Sequence, residues 1–212
     1  MYLFGIQNKT QLTQLLIGWA IFLTFVCGFL MQSVDWFRAT PGDLADPRFN
    51  SYLLEHVWLW LRGISPNLWS PNFYYPFNNI LGFSDNFFGS FFIYGFFRSL
   101  GFNRPLAFDA WFVVGSILNY IASYWAFRLL KLSVVSSALG SFVFAASLPN
   151  LSVDNSVQLV YRFAVPLAWT FFYLAYVNKR PLFFALTALC IAEQFYCSIY
   201  VGIFLIYLLV VT

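Results

Sequence analysis

From Leu182 to Thr212 the chain runs thirty-one residues without a strong helix breaker. At about 1.5 Å per residue that is about 46 Å of helix, against about 30 Å for the hydrocarbon core of a bilayer. Apolar runs of this kind constrain the fold more than any other feature. In lipid each backbone N–H and C=O must find its partner inside the protein, which leaves helices and closed barrels, and runs of about twenty apolar residues are helical lengths. The composition agrees: 61 % of residues are hydrophobic, 23 % aromatic and 9 % charged, far from the roughly half apolar and one-quarter charged of soluble domains. The sequence reads as an all-α polytopic integral membrane protein.

Five segments carry this reading: residues 13–34, 106–127, 133–149, 163–177 and 182–212. The last is either one long tilted helix or a helix that bends between Cys197 and Gly202; the sequence leaves both open. The first is longer than a signal-peptide core and has no clean cleavage site after it, so it reads as an uncleaved anchor. "FFGSFFIYGFF" (87–97) is eleven residues long, too short to span and suited to the interface. With five spans, Lys9, Arg128 with Lys131, and Lys179 with Arg180 fall on one side. That excess makes the N-terminus cytoplasmic and turns the long stretch 35–105 outward, with Asp154. A net charge of +3 without a basic cluster excludes nucleic acid as a partner. Cys27, Cys190 and Cys197 all lie in apolar runs and read as packing residues rather than a disulfide framework. The whole of 1–212 reads as a single transmembrane domain. It stops inside an apolar run, which sets the expectation of a longer protein.

The long loop, about 35–105, holds most of the acids. Within it, "PRFNSYLLEHVWLWLR" (47–62) has helical spacing: Phe49, Tyr52, Leu53, Val57, Trp60 and Leu61 on one face, Arg48, Ser51, Glu55 and Arg62 on the other. It predicts a helix lying along the membrane, with Trp58 and Trp60 at the boundary. Asp46 before Pro47 supplies its start, and Ser84 or Asp85 takes the same place before 87–97. Asp43 has no helix to cap. It is either a turn former or a carboxylate at the mouth of the bundle, able to accept a proton or help hold a divalent cation. His56, the only histidine, is either packing or a polar group facing the loop interior. Glu193 inside the last run is either a neutral hydrogen-bonded acid or a functional one. Arg98, Arg104 and Arg162 can hold a lipid phosphate or contact head groups. Trp69, Tyr74 and Tyr75 offer flat faces to a sugar ring or to the interface.

"GDLADPRFNSYLLEH", "NLWSPNFYYPFNNILGFSDNFFGS" and "VQLVYRFAVPLAW" together resemble a group of bacterial polytopic membrane proteins. These are in turn similar to GT-C-type glycosyltransferases that use polyprenyl-phosphate-linked sugars. The resemblance covers about residue 35 onward. It implies a first outward loop with two membrane-parallel helices and an essential acid near its start. By that correspondence Asp43 is the catalytic acid, Asp46 or Asp85 its helper, and Asp46, Asp85, His56, Tyr74, Tyr75, Gln158 and Arg162 the substrate-binding set. A divalent cation would sit on Asp43 and Asp46. The partners implied are membrane lipid and a polyprenyl-phosphate sugar, and the location a bacterial inner membrane. Two departures stand against it. Related proteins often carry a histidine shortly before the position of Gln158, where this chain has Asp154 and Asn155. The chain is also shorter than a full enzyme of this type. Two further readings remain: a non-catalytic binder or transport component for a lipid-linked substrate, and a truncated accessory membrane subunit that docks a protein partner.

Overall fold

The apolar runs fold into helices, and every regular element is helical among the residues that the computed structural model describes, 9–42, 46–147 and 157–212. The first run is α1 (Lys9–Phe25), which continues through a π-helical turn (Val26–Leu30) into a short last turn, α2 (Met31–Ser33). The loop carries two helices where the spacing predicts them, α3 (Asp46–Leu61) and α4 (Phe88–Ser99). Next come α5 (Arg104–Leu129), α6 (Val134–Ala146) and α7 (Ala164–Asn178). The final run does not stay one helix. It divides into α8 (Pro181–Cys197) and α9 (Ile199–Val211) at Ser198, whose backbone is extended.

Local chemistry accounts for the ends. Asn103 accepts the N–H of Leu106 ahead of Pro105 at the start of α5, a side-chain cap with proline in the first turn. Ser133 does the same for Ser136 at the start of α6. Lys179, with φ of +51°, closes α7 in the left-handed conformation that ends helices, and Pro181 opens α8 two residues later. By length and composition, three helical stretches are long and apolar enough to cross a membrane: Lys9–Ser33, Arg104–Leu129 and Val157–Asn178. The helices α6, α8 and α9 are apolar but shorter.

The centre of the bundle is α5, which packs against α3, α4, α6 and α7. Its most apolar stretch is 72 % buried, against 17 % for the first helix. Trp111 forms the middle of the core, with its ring centroid 5.3 Å from Phe108, 5.9 Å from Phe87 and 4.8 Å from Tyr161. That last contact depends on Gly115, where an added Cβ would stand 2.6 Å from a Tyr161 ring carbon. Gly89 has the same role between α4 and α8: a Cβ there would lie 2.8 Å from the Cys197 sulfur and 3.1 Å from its backbone nitrogen.

Between η-turn residues 157–159 and α7, the backbone of Val160 to Arg162 is not helical, yet all three residues are buried. Its polar groups are met by side chains from two helices. Asn119 Nδ2 donates to the Val160 carbonyl at 2.6 Å, and Asn119 Oδ1 accepts the Arg162 N–H at 3.0 Å. Gln194 Nε2 donates to the Tyr161 carbonyl at 2.8 Å. The Tyr161 hydroxyl donates to the Trp111 carbonyl at 2.8 Å.

The two loop helices are tied to each other by charge. Arg98 donates from Nε and Nη2 to both oxygens of Glu55, at 2.9 and 2.8 Å. The Tyr94 hydroxyl donates to Glu55 Oε2, and Arg98 Nη1 donates to the Phe102 carbonyl. Burial first, then the Glu55 hydrogen bond, pushes the Tyr94 phenol well above its ordinary range. The same hydrogen bond holds Arg98 above its own. The pair is largely covered, with side-chain exposures of 20 % and 13 %. Its loss therefore falls between about 1 kcal/mol for an exposed pair and about 3–5 kcal/mol for a buried one. Glu55→Gln should cost about 2–3 kcal/mol in a reversible unfolding measurement in detergent, because it strands the guanidinium. Glu55→Gln combined with Arg98→Met should cost less than Glu55→Gln alone. Additive losses in the double variant would mean that the two side chains do not act as a pair.

Candidate functional site

Most of the residues singled out in the sequence belong to the end of the bundle that carries α3 and α4. Asp43 lies outside the described residues, as do Asp154 and Asn155. On the near side of Asp43, Pro41 is buried and Gly42 has φ of +89°, a conformation glycine adopts without strain. On the far side Asp46 opens α3 as its pattern predicts, and it is exposed.

Asp46 does more than start a helix. Its Oδ2 accepts from Gln158 Nε2 at 3.3 Å, and Gln158 Oε1 accepts from Asn50 Nδ2 at 3.3 Å. Asp46 and Asn50 are four residues apart, on one face of α3, and a single side chain from 112 residues away bridges them. Next along the same helix, Ser51 Oγ accepts from Arg104 Nε at 3.1 Å. Asp109, one and a half turns into α5, is buried and hydrogen-bonded to the Thr40 side chain. A polar seam therefore joins the start of α3, the turn at 157–159 and the start of α5. Asn50, Ser51, Thr40 and Asp109 are absent from the set read in the sequence. Their only local signals are the four-residue spacing of Asn50 from Asp46 and the isolation of Asp109 in an apolar segment.

The remaining candidates sit apart from that seam. His56 is buried in α3 and donates from Nε2 to the Leu68 carbonyl at 2.9 Å, its ring stacked on Tyr52. The Tyr52 hydroxyl accepts the Asn72 N–H at 3.1 Å. Both side chains hold the loop after α3 against the helix. Tyr74 helps line a groove of about 440 Å³ with Phe49, Phe73, Phe77, Ile80 and Phe83. Tyr75 is exposed beside it.

Arg162 is buried. It is 8 % exposed, and its Nη2 donates to the Phe144 and Ser147 carbonyls at 3.1 and 3.0 Å. The guanidinium also lies over the Phe144 ring. A cation thus meets the free carbonyls at the C-terminal end of α6, where the helix dipole favours it.

Asp85 differs most from expectation. Asn86, not Ser84 or Asp85, meets the aromatic helix, accepting the Phe88 N–H at 3.1 Å. Asp85 reaches instead across 114 residues, and its Oδ1 accepts the N–H of Ile199 at 2.8 Å. Ile199 opens α9, whose own preceding residue, Ser198, gives it no side-chain cap. A carboxylate from a distant loop therefore caps the helix that begins after the break. Burial pushes the Asp85 carboxyl above its ordinary value of 3.8, partly offset by the Ile199 hydrogen bond.

Among the described residues, no group of three or more His, Cys, Asp or Glu side chains is placed to hold a metal ion. No protein-family model, curated protein or solved structure matches this chain.

The Asp85 bridge sets a pH response. With the folded pKa raised, the folded state binds more protons than the unfolded state just above 3.8. Stability should therefore fall as pH rises through the window between 3.8 and the raised value, then level off. Asp85→Asn keeps an acceptor for the Ile199 N–H and should flatten that part of the profile with little change at neutral pH. Asp85→Ala loses the cap and should cost about 1 kcal/mol. Melting curves of the three proteins from pH 4 to 8, about the carboxylate range, test this. An unchanged acid slope in Asp85→Asn would contradict the assignment.

Proposed function

We propose that this chain is an integral membrane protein of the glycosyltransferase kind, transferring a sugar from a polyprenyl-phosphate donor to an acceptor outside the cytoplasm. One observation carries the reading. Two of the sequence segments that resemble such enzymes, the acidic stretch at Asp46 and the stretch beginning at Val157, are joined side chain to side chain by Gln158. The acid proposed for catalysis, Asp43, is three residues before Asp46 in the sequence. The exposed surface supports placement in lipid: Leu16, Trp19, Leu23, Leu189, Phe204, Tyr207 and Val210 are all uncovered, more apolar surface than water tolerates on a single protein.

In this reading the Asp43 carboxylate takes the proton of the acceptor hydroxyl as its oxygen attacks the anomeric carbon. The bond from that carbon to the phosphate oxygen breaks, the configuration inverts, and polyprenyl phosphate leaves with the bonding electrons. Arg48, exposed on the first turn of α3, is as close in sequence to Asp43 as Arg38 and is suited to the charge of the departing phosphate. The aromatic groove at Tyr74 suits a sugar face.

The topology that goes with this has five spans and a cytoplasmic N-terminus. In it α8 and α9 share the last crossing, and α3 and α4 lie along the outer surface. Single cysteines placed in a background lacking Cys27, Cys190 and Cys197 should label from outside at position 70 and from the cytoplasm at position 130. Labelling of position 70 from the cytoplasm alone overturns the orientation.

The chemistry is tested by two neighbouring acids. Asp43→Asn cannot take a proton and should lower sugar transfer from a polyprenyl-phosphate donor by about 10²–10⁴, with melting unchanged. Asp46→Asn keeps the helix start and an acceptor for Gln158, so it should retain most of the turnover. Full turnover in Asp43→Asn removes that residue from the mechanism. Specific donor binding with no transfer by the wild-type protein would favour a non-catalytic binder.

A further inference from the structure

Asp109 is the one acid of α5, and nothing in the proposed transfer uses it. The residue is 3 % exposed. One side of it is bonded to Thr40, while Oδ1 has no hydrogen-bond partner among the described residues. A buried charge without a counter-charge is too costly to persist, and such a group neutralises instead.

The charged and titratable groups on the elements packed against α5 do not supply that counter-charge. On α3 and α4, Glu55, Tyr94 and Arg98 are bonded to one another, His56 to Leu68 and Asp46 to Gln158. Arg48 is exposed. On the turn after the first helix, Asp35 and Arg38 are exposed, as is Cys27 in the π-helical turn. Arg162, leading into α7, donates from Nη2 to the Phe144 and Ser147 carbonyls at the end of α6, and its Nε is unpaired among the described residues; α6 itself carries no charged residue. On α5, Arg104 donates to Ser51.

Thr40 changes what a neutral acid can do here. Asp109 is buried, but Thr40 is exposed, so one hydroxyl connects the carboxyl with solvent. Further along the same face, Ser116 and Tyr120 stand seven and eleven residues on, both buried and both without a hydrogen-bond partner for their hydroxyls among the described residues. Their spacing of two and three turns aligns them with Asp109. The face is polar and able to take up protons or ordered water.

We propose that Asp109 is a proton-binding site: its carboxyl holds a proton at neutral pH and exchanges it with water through the Thr40 hydroxyl. The ligand is the proton itself. On uptake, hydronium gives its proton to the carboxylate and leaves water, and release reverses the step, with no redox partner. The assignment is independent of sugar transfer.

Infrared spectroscopy of the full chain in lipid nanodiscs tests it through the carbonyl stretch of a protonated carboxyl. At pH 7, about neutrality, the band should be present in the wild type. It should also be present in Asp85→Asn, Asp46→Asn and Glu193→Gln, absent when Asp109→Asn is combined with Glu193→Gln, and moved to the glutamic acid frequency in Asp109→Glu. Transfer to heavy water should shift the band, and Thr40→Val should slow that shift several-fold while leaving the band in place. A band that survives Asp109→Asn combined with Glu193→Gln, or the absence of any such band in the folded wild type, overturns the site. Exchange at the wild-type rate in Thr40→Val overturns the route. If Asp109→Asn does not fold, the Asp109→Glu frequency decides the site by itself.

Discussion

The arrangement rests on three residues of non-helical backbone inside a helical bundle. Val160, Tyr161 and Arg162 are buried, and a buried backbone group without a partner costs about as much as a lost hydrogen bond. Asn119 meets two of these groups and Gln194 a third. Because the partners come from α5 and α8, satisfying this backbone also fixes α7 between them. The close approach of Tyr161 to Gly115 adds packing that only a missing Cβ permits. Gln158, which bridges Asp46 and Asn50, is two residues upstream of Val160. The position of the polar seam on α3 is thus inherited from how α5 and α8 grip this segment.

The second break follows the same logic. At Ser198 the α8 ladder stops and α9 must begin without a local cap, and Asp85 provides the acceptor from a loop far away in sequence. A broken helix leaves unpaired groups at each new end. Lipid cannot pair them, so a break inside an apolar run is stable only where protein side chains reach it. In both breaks the side chains come from elsewhere in the chain, which couples the loop helices to the C-terminal pair. A change at Asp85 is therefore felt at α9, not at the adjacent α4.

These couplings mark what the sequence discloses and what it does not. Helices α3 and α4 follow from spacing and length, because burial of one face is a local property of a helix. The Asp46–Pro47 start of α3 is legible for the same reason, whereas the choice between a bend and a straight helix near Cys197 is settled only by the break at Ser198. The partners of Asp85, Gln158 and Arg162 are not legible. Each acts across a long separation, and nothing in the neighbourhood of Asp85 distinguishes a cap for α4 from a cap for α9. His56 next to Glu55 invites pairing of the two, yet they point to different partners, Leu68 and Arg98. Asp109 escapes notice inside "LAFDAWFVV" because one acid does not disturb an apolar average. The sequence signal for such a residue is its isolation, and only the fold tells whether it is exposed, paired or alone.

In the proposed lipid setting, the bundle would present apolar side chains to hydrocarbon and keep several polar ones inside. Its uncovered side chains include Trp19, Leu23, Leu189, Phe204 and Val210, while Asp109, Ser116, Asn119, Ser123, Thr170 and Gln194 are inside. Helices surrounded by hydrocarbon gain little from hiding apolar surface, so association falls to close packing and to hydrogen bonds between helices. Several of the hydroxyls are met locally, as Ser123 donates to the Asn119 carbonyl and Thr187 to that of Phe183. The amides of Asn119 and Gln194 instead act between helices. That division separates the polar residues that the fold needs from those it tolerates. Asn119 and Gln194 hold the non-helical segment from neighbouring helices, whereas no bond from Asp109 to another helix is seen among the described residues, although Gln194 Oε1 and Asp109 Oδ1 are both unpaired there. A residue that contributes no interhelical bond from that atom, yet remains an acid, is better explained by proton chemistry than by architecture.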